Sequence, residues 1–319
     1  MRFFLKYLSA MLDLLVELAR SFLLHVASKI DKNRNFGNPF KIHLQMTINC
    51  RGKLLDLSAP KIMGILNITP DSFYDGGRFN NEKAILKHIE KMLHEGADII
   101  DIGAMSTKPG AKMISVEDEL QRILGPLEDI IERFPGSLIS IDTVYSKTAV
   151  EAMEIGVHII NDISAGRFDE KMMATVALYE APYVIMHMQG TPADMQIHPA
   201  YENVVTEIFN FLSLQADLCK QTGIADVIVD TGFGFGKSVE HNYILLRNLK
   251  YFSNLNLPVI AGISRKSMIC KPLKVSPEHA LNGTTAANML ALLNGANILR
   301  VHDVKEAAEV IKIYEAYKG

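Results

Sequence analysis

The feature that most constrains the fold of this chain is a short apolar run that recurs along it and ends on a polar or charged residue. The eight runs are Ile62–Asn67, Ile99–Asp101, Leu138–Asp142, Ile159–Asp162, Tyr183–His187, Val227–Asp230, Val259–Ser264 and Ile298–His302. They are too short and too uniformly apolar for amphipathic helices, and they are typical of strands buried on both faces of a parallel sheet. Segments of helical periodicity lie between them. The alternation predicts an α/β fold, a (β/α)8 TIM barrel, whose active site lies where these polar residues fall, at the carboxyl ends of the strands.

The length and composition of the chain fit one such barrel with an extension. The chain has 319 residues, of which 48% are hydrophobic, and a formal net charge of −3. A TIM barrel typically needs about 250 residues. The near-neutral charge argues against general affinity for nucleic acid. Three widely spaced cysteines, Cys50, Cys219 and Cys270, favour neither a disulfide framework nor a zinc site, so we expect a cytoplasmic protein.

The N-terminal segment, residues 1–45, differs from the rest of the chain. Apolar positions within residues 12–26 follow helical spacing and are interrupted by charges. These charges argue against a signal peptide and a membrane span. We interpret the segment as an amphipathic helix plus linker that packs on the barrel, lies on a membrane surface, or precedes a translation start at Met46 and is dispensable. Residues 46–319 are the predicted catalytic domain, which begins with a hairpin at residues 46–57.

Several acids and one amide are expected to converge on the mouth of the barrel: Asp101, Asp142, Asn161, Asp162 and Asp230. Such a pocket can bind a metal ion, perform acid–base chemistry, or accept hydrogen bonds from a donor-rich ring such as a 2-amino-4-oxo-pyrimidine. We expect Asp101 and Asp162 to be structural. A zinc site of the histidine-cluster type is poorly supported, because His187 and His302 end separate runs.

The stretch DTGFGFGKS follows neither of the two nucleotide-binding glycine motifs. A Walker A loop needs glycine at the position of Thr231, and the spacing of Gly232, Gly234 and Gly236 does not fit the dinucleotide fingerprint. Alternating glycines after a buried strand suggest backbone that passes close to a flat ligand, with Phe233 or Phe235 free to stack on it. A plain tight turn is the alternative.

Two basic clusters follow the last two strands. The sequence ISRKS carries Ser264, Arg265 and Lys266, and RVHD carries Arg300 and His302. Loops at these positions form the usual phosphate site of a TIM barrel, and arginine grips two phosphate oxygens at once. Acids on the floor of the pocket and bases on its rim together predict a phosphorylated heterocycle as ligand.

Eight ordered motifs resemble those of the dihydropteroate synthase family. They are GILNITPDSFYDGG, STKPGA, SIDT, HIINDIS, MHMQGTP, GFGFGK, GISRKSM and RVHDV, and the resemblance covers about residues 47–317. The resemblance implies a transferase of folate biosynthesis that condenses 6-hydroxymethyl-7,8-dihydropterin diphosphate with 4-aminobenzoate. It also implies Mg²⁺ and a homodimer.

The resemblance further implies roles for individual residues. The residues expected to hold the pterin are Asp142, Asn161, Met186, Asp230 and Lys266, and Lys266, Asp142 and Asp230 are the expected catalytic residues. Those expected to bind the diphosphate are Asn67, Arg300 and His302, with Asn67 also meeting Mg²⁺. Those expected around 4-aminobenzoate are Thr107, Pro109, Phe235 and Ser264, with Phe73, Asp75 and Lys108 on the loops that close over it.

The chain departs from the family pattern in three places, the first of which is an N-terminal extension with no counterpart in that pattern. GAMSTKPG stands where GGESTRPG is common, so Lys108 keeps a charge but lacks the bidentate fork that would grip Asp75. Thr231 replaces a usual proline.

Two rival functions are weaker. A pterin-dependent methyltransferase would share the pterin pocket, but the phosphate rim and the TPDSF loop argue against it. A non-catalytic pterin-binding barrel would be expected to have lost a pocket residue, and the four main pterin positions are intact.

Overall fold

The computed structural model describes residues 46–68, 78–105, 110–111 and 113–319, with the side chains of residues 78–81 excepted. These residues belong to one compact unit, Gln45–Gly319. The predicted N-terminal helix lies outside the described residues. So do five residues expected to bind or cover the substrates: Phe73, Asp75, Thr107, Lys108 and Pro109.

Eight parallel strands close into a barrel, which confirms the predicted TIM barrel. The strands are β3 (Lys61–Asn67), β4 (Ile99–Gly103), β5 (Leu138–Asp142), β6 (Ile159–Asp162), β7 (Tyr183–Met186), β8 (Val227–Asp230), β9 (Val259–Ala261) and β10 (Ile298–Val301). They are hydrogen-bonded in sequence order from β3 to β9, and β10 closes the barrel between β9 and β3. The strands are buried almost throughout, as their apolar runs predict. His187, Ser264 and His302, which end three of the runs, lie just beyond the paired residues.

Helices connect the strands and cover the outside of the barrel. Those described are α1 (Arg78–His94), α2 (Val116–Arg133), α3 (Ser146–Ile155), α4 (Met172–Leu178), α5 (Val204–Thr222), α6 (Val239–Arg247), α7 (Ser267–Leu273), α8 (Leu281–Leu293) and α9 (Val304–Lys318), with 3₁₀ segments at Leu249–Leu255 and Pro277–His279. Ser115 caps α2, because its hydroxyl accepts a hydrogen bond from the Asp118 amide. Among the described helices, none has the length and apolar character of a membrane span.

A hairpin seals the end of the barrel where the strands begin. Its strands, β1 (Thr47–Cys50) and β2 (Lys53–Asp56), pair antiparallel, which confirms the predicted hairpin. Four of its residues or their neighbours form one buried cluster with a residue near the start of every barrel strand: Ile48, Cys50, Leu55 and Leu57 with Met63, Ile99, Leu138, Ile159, Val184, Ile228, Ile260 and Ile298. This layer is entirely apolar, so water is excluded from the closed end.

Side chains of the hairpin fasten it to the loops around that end. Arg51 Nη1 donates to the backbone carbonyls of Met153 at 2.9 Å and Val157 at 2.7 Å. Lys53 Nζ donates to the carbonyl of Pro135 at 2.7 Å. Each bond satisfies a carbonyl near the end of a helix, where intrahelical partners run out. The open end of the barrel is therefore the only one of the two ends left for a ligand in the part of the chain that the structure describes.

Candidate active site

The interior of the barrel changes from apolar to polar within two residues of the sealed layer. Side chains alternate along a strand, so the residue two positions after each apolar one faces the same interior. On five strands that residue is polar, namely Asp101, Ser140, Asn161, Asp230 or Arg300, and on β7 it is Met186. The predicted convergence of these polar side chains on the barrel mouth therefore follows directly from the strand register.

Arg300 lies between two buried carboxylates at the centre of the site. Its Nε donates to Asp101 Oδ2 at 2.7 Å, and its Nη2 lies 2.6 Å from the same oxygen and 2.7 Å from Asp142 Oδ2. Asn161 Nδ2 also donates to Asp101 Oδ2, at 3.0 Å. Asp101 is completely buried and only 15% of the Arg300 side chain is exposed. Asp101 thus orients two residues of the predicted site, Asn161 and Arg300. Its role is structural, as expected, but it acts directly on residues assigned to the substrates.

Burial and charge act in opposite directions on these groups. Burial raises the pKa of the Asp142 carboxyl to about 7, against the opposing effect of Arg300. Burial alone would lower the pKa of the Arg300 guanidinium, but Asp101 and Asp142 outweigh it and the pKa is raised. Arg300 therefore stays charged, while Asp142 is poised to exchange a proton near neutral pH.

Lys266 reaches the site from the turn after β9. Its ammonium donates to the carbonyl of Phe233 at 2.5 Å and lies 4.6 Å from the centroid of the Phe235 ring, a cation–π contact. Burial lowers the pKa of Lys266 to about 8, although the negative charge of Asp230 opposes the shift. A Cβ atom at Gly262 would lie 3.7 Å from the Lys266 ammonium and 3.8 Å from an Asp230 oxygen, so the turn brings this cation and this acid to one spot.

Two glycines after β8 lie so close to neighbouring protein backbone that a side chain would not fit. Gly232 has φ +70°, and a Cβ atom there would lie 1.9 Å from the carbonyl oxygen of His187. A Cβ at Gly236 would lie 2.7 Å from the Gln189 carbonyl. At these two glycines the group that approaches closely is the protein segment after β7, and the approach to a flat ligand stays a prediction.

Of the two phenylalanines in this loop, only Phe235 faces the mouth. Phe233 is fully buried in the main core. Phe235 belongs to a separate apolar cluster at the mouth, which contains Met105, Val144, Ile163, Met186, Met188, Met195 and Phe235. Four of the seven are methionines, whose flexible side chains adapt to a ligand. Met186 and Phe235, both predicted to line the site, therefore lie in one wall.

The rim after β9 and β10 carries less free positive charge than its basic sequence suggests. Arg265 forms a two-pronged pair with Asp303, at 2.9 Å and 2.5 Å, so its charge is already matched within the protein. The Ser264 hydroxyl accepts a hydrogen bond from the His302 amide at 3.3 Å. The His302 side chain is exposed, yet desolvation by the rim and the charge of Arg300 lower its pKa to about 4. A neutral imidazole at this position can donate one hydrogen bond to an anion.

Asn67, the residue expected to meet Mg²⁺, lies at the rim of the barrel. No group of three or more His, Cys, Asp or Glu side chains suited to a metal exists among the described residues. Asn67 is exposed at the end of β3, with its amide oxygen beside Gly103. Mg²⁺ commonly keeps several waters and takes one or two protein oxygens together with substrate phosphates. A single amide oxygen at the rim is compatible with that kind of site.

Two further polar residues have contacts that the sequence did not reveal. Asp162 accepts hydrogen bonds from the Tyr183 hydroxyl at 2.6 Å and the Ser164 amide at 2.7 Å, which agrees with the structural role expected for it. His187 Nδ1 lies 3.1 Å from the side-chain nitrogen of Lys237. Lys237 is only 2% exposed. Its place at the end of GFGFGK gave no sign of burial, because lysine is rarely buried.

Comparison with known proteins points to one family. Residues 63–302 match the family of pterin binding enzymes. The chain is 45% identical over 273 residues to the dihydropteroate synthase of Escherichia coli strain K12, an alignment that covers 85% of this chain and 96% of that protein. The dihydropteroate synthase of Haemophilus influenzae is 44% identical, with 85% and 98% covered.

Solved structures agree. The Yersinia pestis dihydropteroate synthase in a sulfonamide drug complex superposes with a TM-score of 0.81 at 42% identity, covering 86% of this chain and 99% of that one. The Xanthomonas albilineans dihydropteroate synthase in complex with 7,8-dihydropteroate gives a TM-score of 0.77 at 34% identity, covering 86% of this chain and 99% of that one.

Proposed function

We infer the function of this chain from its family: it belongs to the dihydropteroate synthases, which are pterin binding enzymes. The chain condenses 6-hydroxymethyl-7,8-dihydropterin diphosphate with 4-aminobenzoate to give 7,8-dihydropteroate and diphosphate, a transferase reaction of folate biosynthesis. The observation that supports this conclusion most strongly is the 45% identity to the Escherichia coli dihydropteroate synthase, in an alignment that covers 96% of that protein.

For the pterin, we assign the floor of the barrel mouth. Asp142, Asn161 and Asp230 are all less than 10% exposed and offer acceptor oxygens to the ring donors. A hydrogen bond to a charged acceptor contributes about 1.5–3 kcal/mol. Met186 would flank the ring, and Lys266 would approach it from the turn after β9. The carboxylates would also stabilise cationic character at the exocyclic methylene as the leaving group departs.

For the diphosphate, we assign the rim beside this floor. Arg300 lies on β10 and His302 directly follows the strand. Asn67 lies on β3, the strand that pairs with β10. Mg²⁺ held with Asn67 and the phosphate oxygens would supply charge stabilisation for the leaving group. Asp101 would keep the Arg300 guanidinium in place whether or not the anion is bound.

For 4-aminobenzoate, we assign the space beside Phe235 and Ser264. Its amine attacks the methylene carbon, a carbon–nitrogen bond forms, the carbon–oxygen bond to diphosphate breaks, and the amine releases a proton. No covalent enzyme intermediate is needed. Positioning of the two substrates and electrostatic stabilisation would supply most of the rate.

A homodimer fits an exposed apolar face on three consecutive helices. Exposed large side chains lie on α7, α8 and α9: Leu273, Leu290, Leu293, Ile313 and Tyr317. Helix α8 contacts both α7 and α9, so these side chains belong to neighbouring elements. A second copy of the chain is the partner that the family resemblance implies. Light scattering should give twice the monomer mass, and Leu290→Lys should lower it.

The function is tested with the purified full chain. Mg²⁺, the pterin diphosphate and labelled 4-aminobenzoate should yield labelled dihydropteroate, and the Asp230→Asn variant should yield far less. Exposed Asp217→Asn is the matched control and should behave as the wild type. If the pterin diphosphate binds but no product forms, the non-catalytic pterin-binding barrel becomes the better description.

A further inference from the structure

The loop Gly232–Gly236 is held by an unusual set of contacts. Four consecutive backbone carbonyls each accept a hydrogen bond from a side chain: Phe233 from Lys266 at 2.5 Å, Gly234 from Gln196 at 2.6 Å, Phe235 from Lys237 at 2.9 Å, and Gly236 from Tyr201 at 2.7 Å. Three of the donors come from outside the loop and its flanking residues. The conformation of the loop is therefore set by its surroundings and not by its own hydrogen bonds alone.

Lys237 differs from the other donors because it is buried and because its side-chain nitrogen contacts two segments of the mouth. It donates to the Phe235 carbonyl at 2.9 Å and to the His187 carbonyl at 3.2 Å, and it lies 3.1 Å from His187 Nδ1. Burial lowers the pKa of Lys237 well below its usual value, and a neutral amine keeps two hydrogens, one for each of the two carbonyls. Burial lowers the pKa of His187 to about 2, so its ring is neutral as well.

The acceptors of Lys237 belong to two different segments at the mouth, the one after β7 and the loop after β8. His187 directly follows Met186, which we assign to the pterin, and Phe235 carries the ring assigned to 4-aminobenzoate. Both side chains lie in the apolar cluster at the mouth. The Lys237 nitrogen therefore joins the backbone after β7 to the backbone of the loop after β8, and thereby fixes the position of Phe235 relative to Met186.

We propose that Lys237 is a positioning residue for the condensation: by joining the Phe235 carbonyl to His187, it sets where the Phe235 ring stands relative to the pterin. The proposal rests on the proposed function. It predicts that loss of Lys237 impairs the use of 4-aminobenzoate more than the use of the pterin diphosphate, because Lys237 bonds the carbonyl of Phe235 itself and bonds none of the residues assigned to the pterin.

A residue that only stabilises the fold would give a different result, and two variants separate the cases. Lys237→Met removes the donor and leaves its three polar partners buried without it, so the protein should lose stability. Adding His187→Phe removes one of those partners and keeps a flat ring against Phe211, which contacts the imidazole at 5.0 Å between centroids. The double variant should therefore regain part of the lost stability, whereas the carbonyls of Phe235 and His187 still lack their donor.

The experiment measures thermal unfolding and the KM of each substrate for both variants. We expect KM for 4-aminobenzoate to rise about tenfold in Lys237→Met and to stay raised in the double variant, with KM for the pterin diphosphate changed by less than about twofold. Tyr183→Phe, which removes the hydrogen bond to Asp162, is the matched control: it should lower stability and leave both KM values alone.

Three outcomes would overturn the proposal. KM for 4-aminobenzoate could return to the wild-type value when stability is partly regained in the double variant. Both KM values could rise together. A crystal structure of Lys237→Met could place the Phe235 ring where it lies in the wild type. The crystal structure decides the matter even if the wild-type chain makes no dihydropteroate, a result that would refute the proposed function instead.

Discussion

The same strands form both ends of the barrel, but their side chains are apolar at one end and mostly polar or charged at the other. At the closed end, twelve apolar side chains from the hairpin and all eight strands form one buried layer. At the open end, two positions further along, the same face carries Asp101, Asn161, Asp230 and Arg300. The closed end excludes water and gives hydrophobic stabilisation, while the open end keeps charges buried by pairing them. The strands are therefore anchored at one end so that the other can hold costly polar groups in fixed positions.

The largest effect should come from removing the cation of the open end. Arg300→Met leaves Asp101 and Asp142 buried without it, and breaking a buried pair in this way costs about 3–5 kcal/mol. Urea unfolding should show this loss at neutral pH, together with a large fall in turnover. Because burial raises the pKa of Asp142 to about 7, protonation should make the loss smaller at about pH 5.

Exposed Arg247→Met provides the control for lost arginine charge and should unfold like the wild type. An unchanged unfolding free energy in Arg300→Met would show that the open end does not depend on this ion pair.

A cavity at the closed end should cost nearly as much stability without touching catalysis. Ile228 is completely buried in the apolar layer. Ile228→Ala should lower the unfolding free energy by about 2–5 kcal/mol, since it leaves a cavity in a packed core. Steady-state kinetics on the folded variant should give both KM values unchanged. A raised KM for either substrate would mean that the two ends are not independent.

The pH dependence of kcat/KM should belong to the open end alone. Burial lowers the pKa of Lys266 to about 8, so the ammonium loses its proton as the pH rises through that value. Activity should then fall by about tenfold per pH unit above it. On the acid side, protonation of Asp142 below about 7 removes an acceptor for the pterin, so activity should fall there too.

Lys266→Arg tests the alkaline limb, because a guanidinium keeps its charge throughout the pH range of the assay. Its activity will be lower, but the alkaline fall should disappear from the profile. Ile228→Ala should keep the wild-type profile. Persistence of the fall in Lys266→Arg would assign it to another group.

The smallest effect concerns a buried hydroxyl beside the open end. Thr231 is fully buried, and its Oγ1 has no hydrogen-bond partner among the described residues. Thr231→Val replaces the hydroxyl by a methyl of similar shape, which should raise the unfolding free energy by about 1 kcal/mol. Calorimetry measures the change, and turnover should be unaltered. A loss of stability would mean that this hydroxyl is satisfied in solution.

The fold was predictable because its signal is local. Each strand is a run of apolar residues that is buried in the fold, and the hairpin was recognisable from neighbouring residues in the same way. The contacts of the site were not local. Asp101 bonds to a residue 199 positions away, so its part in holding Arg300 is invisible in the sequence. The role of Arg265 was obscured similarly, because its partner Asp303 lies 38 positions away.

The sequence by itself determined the barrel, the family and the set of polar residues at the strand ends, because alternation and motif order are properties of the chain. Tertiary structure alone decided which of those residues meet. In the folded protein Arg300 pairs with two acids, and Lys237 is buried against His187. Phe235 lies at the mouth, whereas Phe233 lies in the core. The physical reason is that burial and pairing arise between strands, where distance along the chain carries no information about contact.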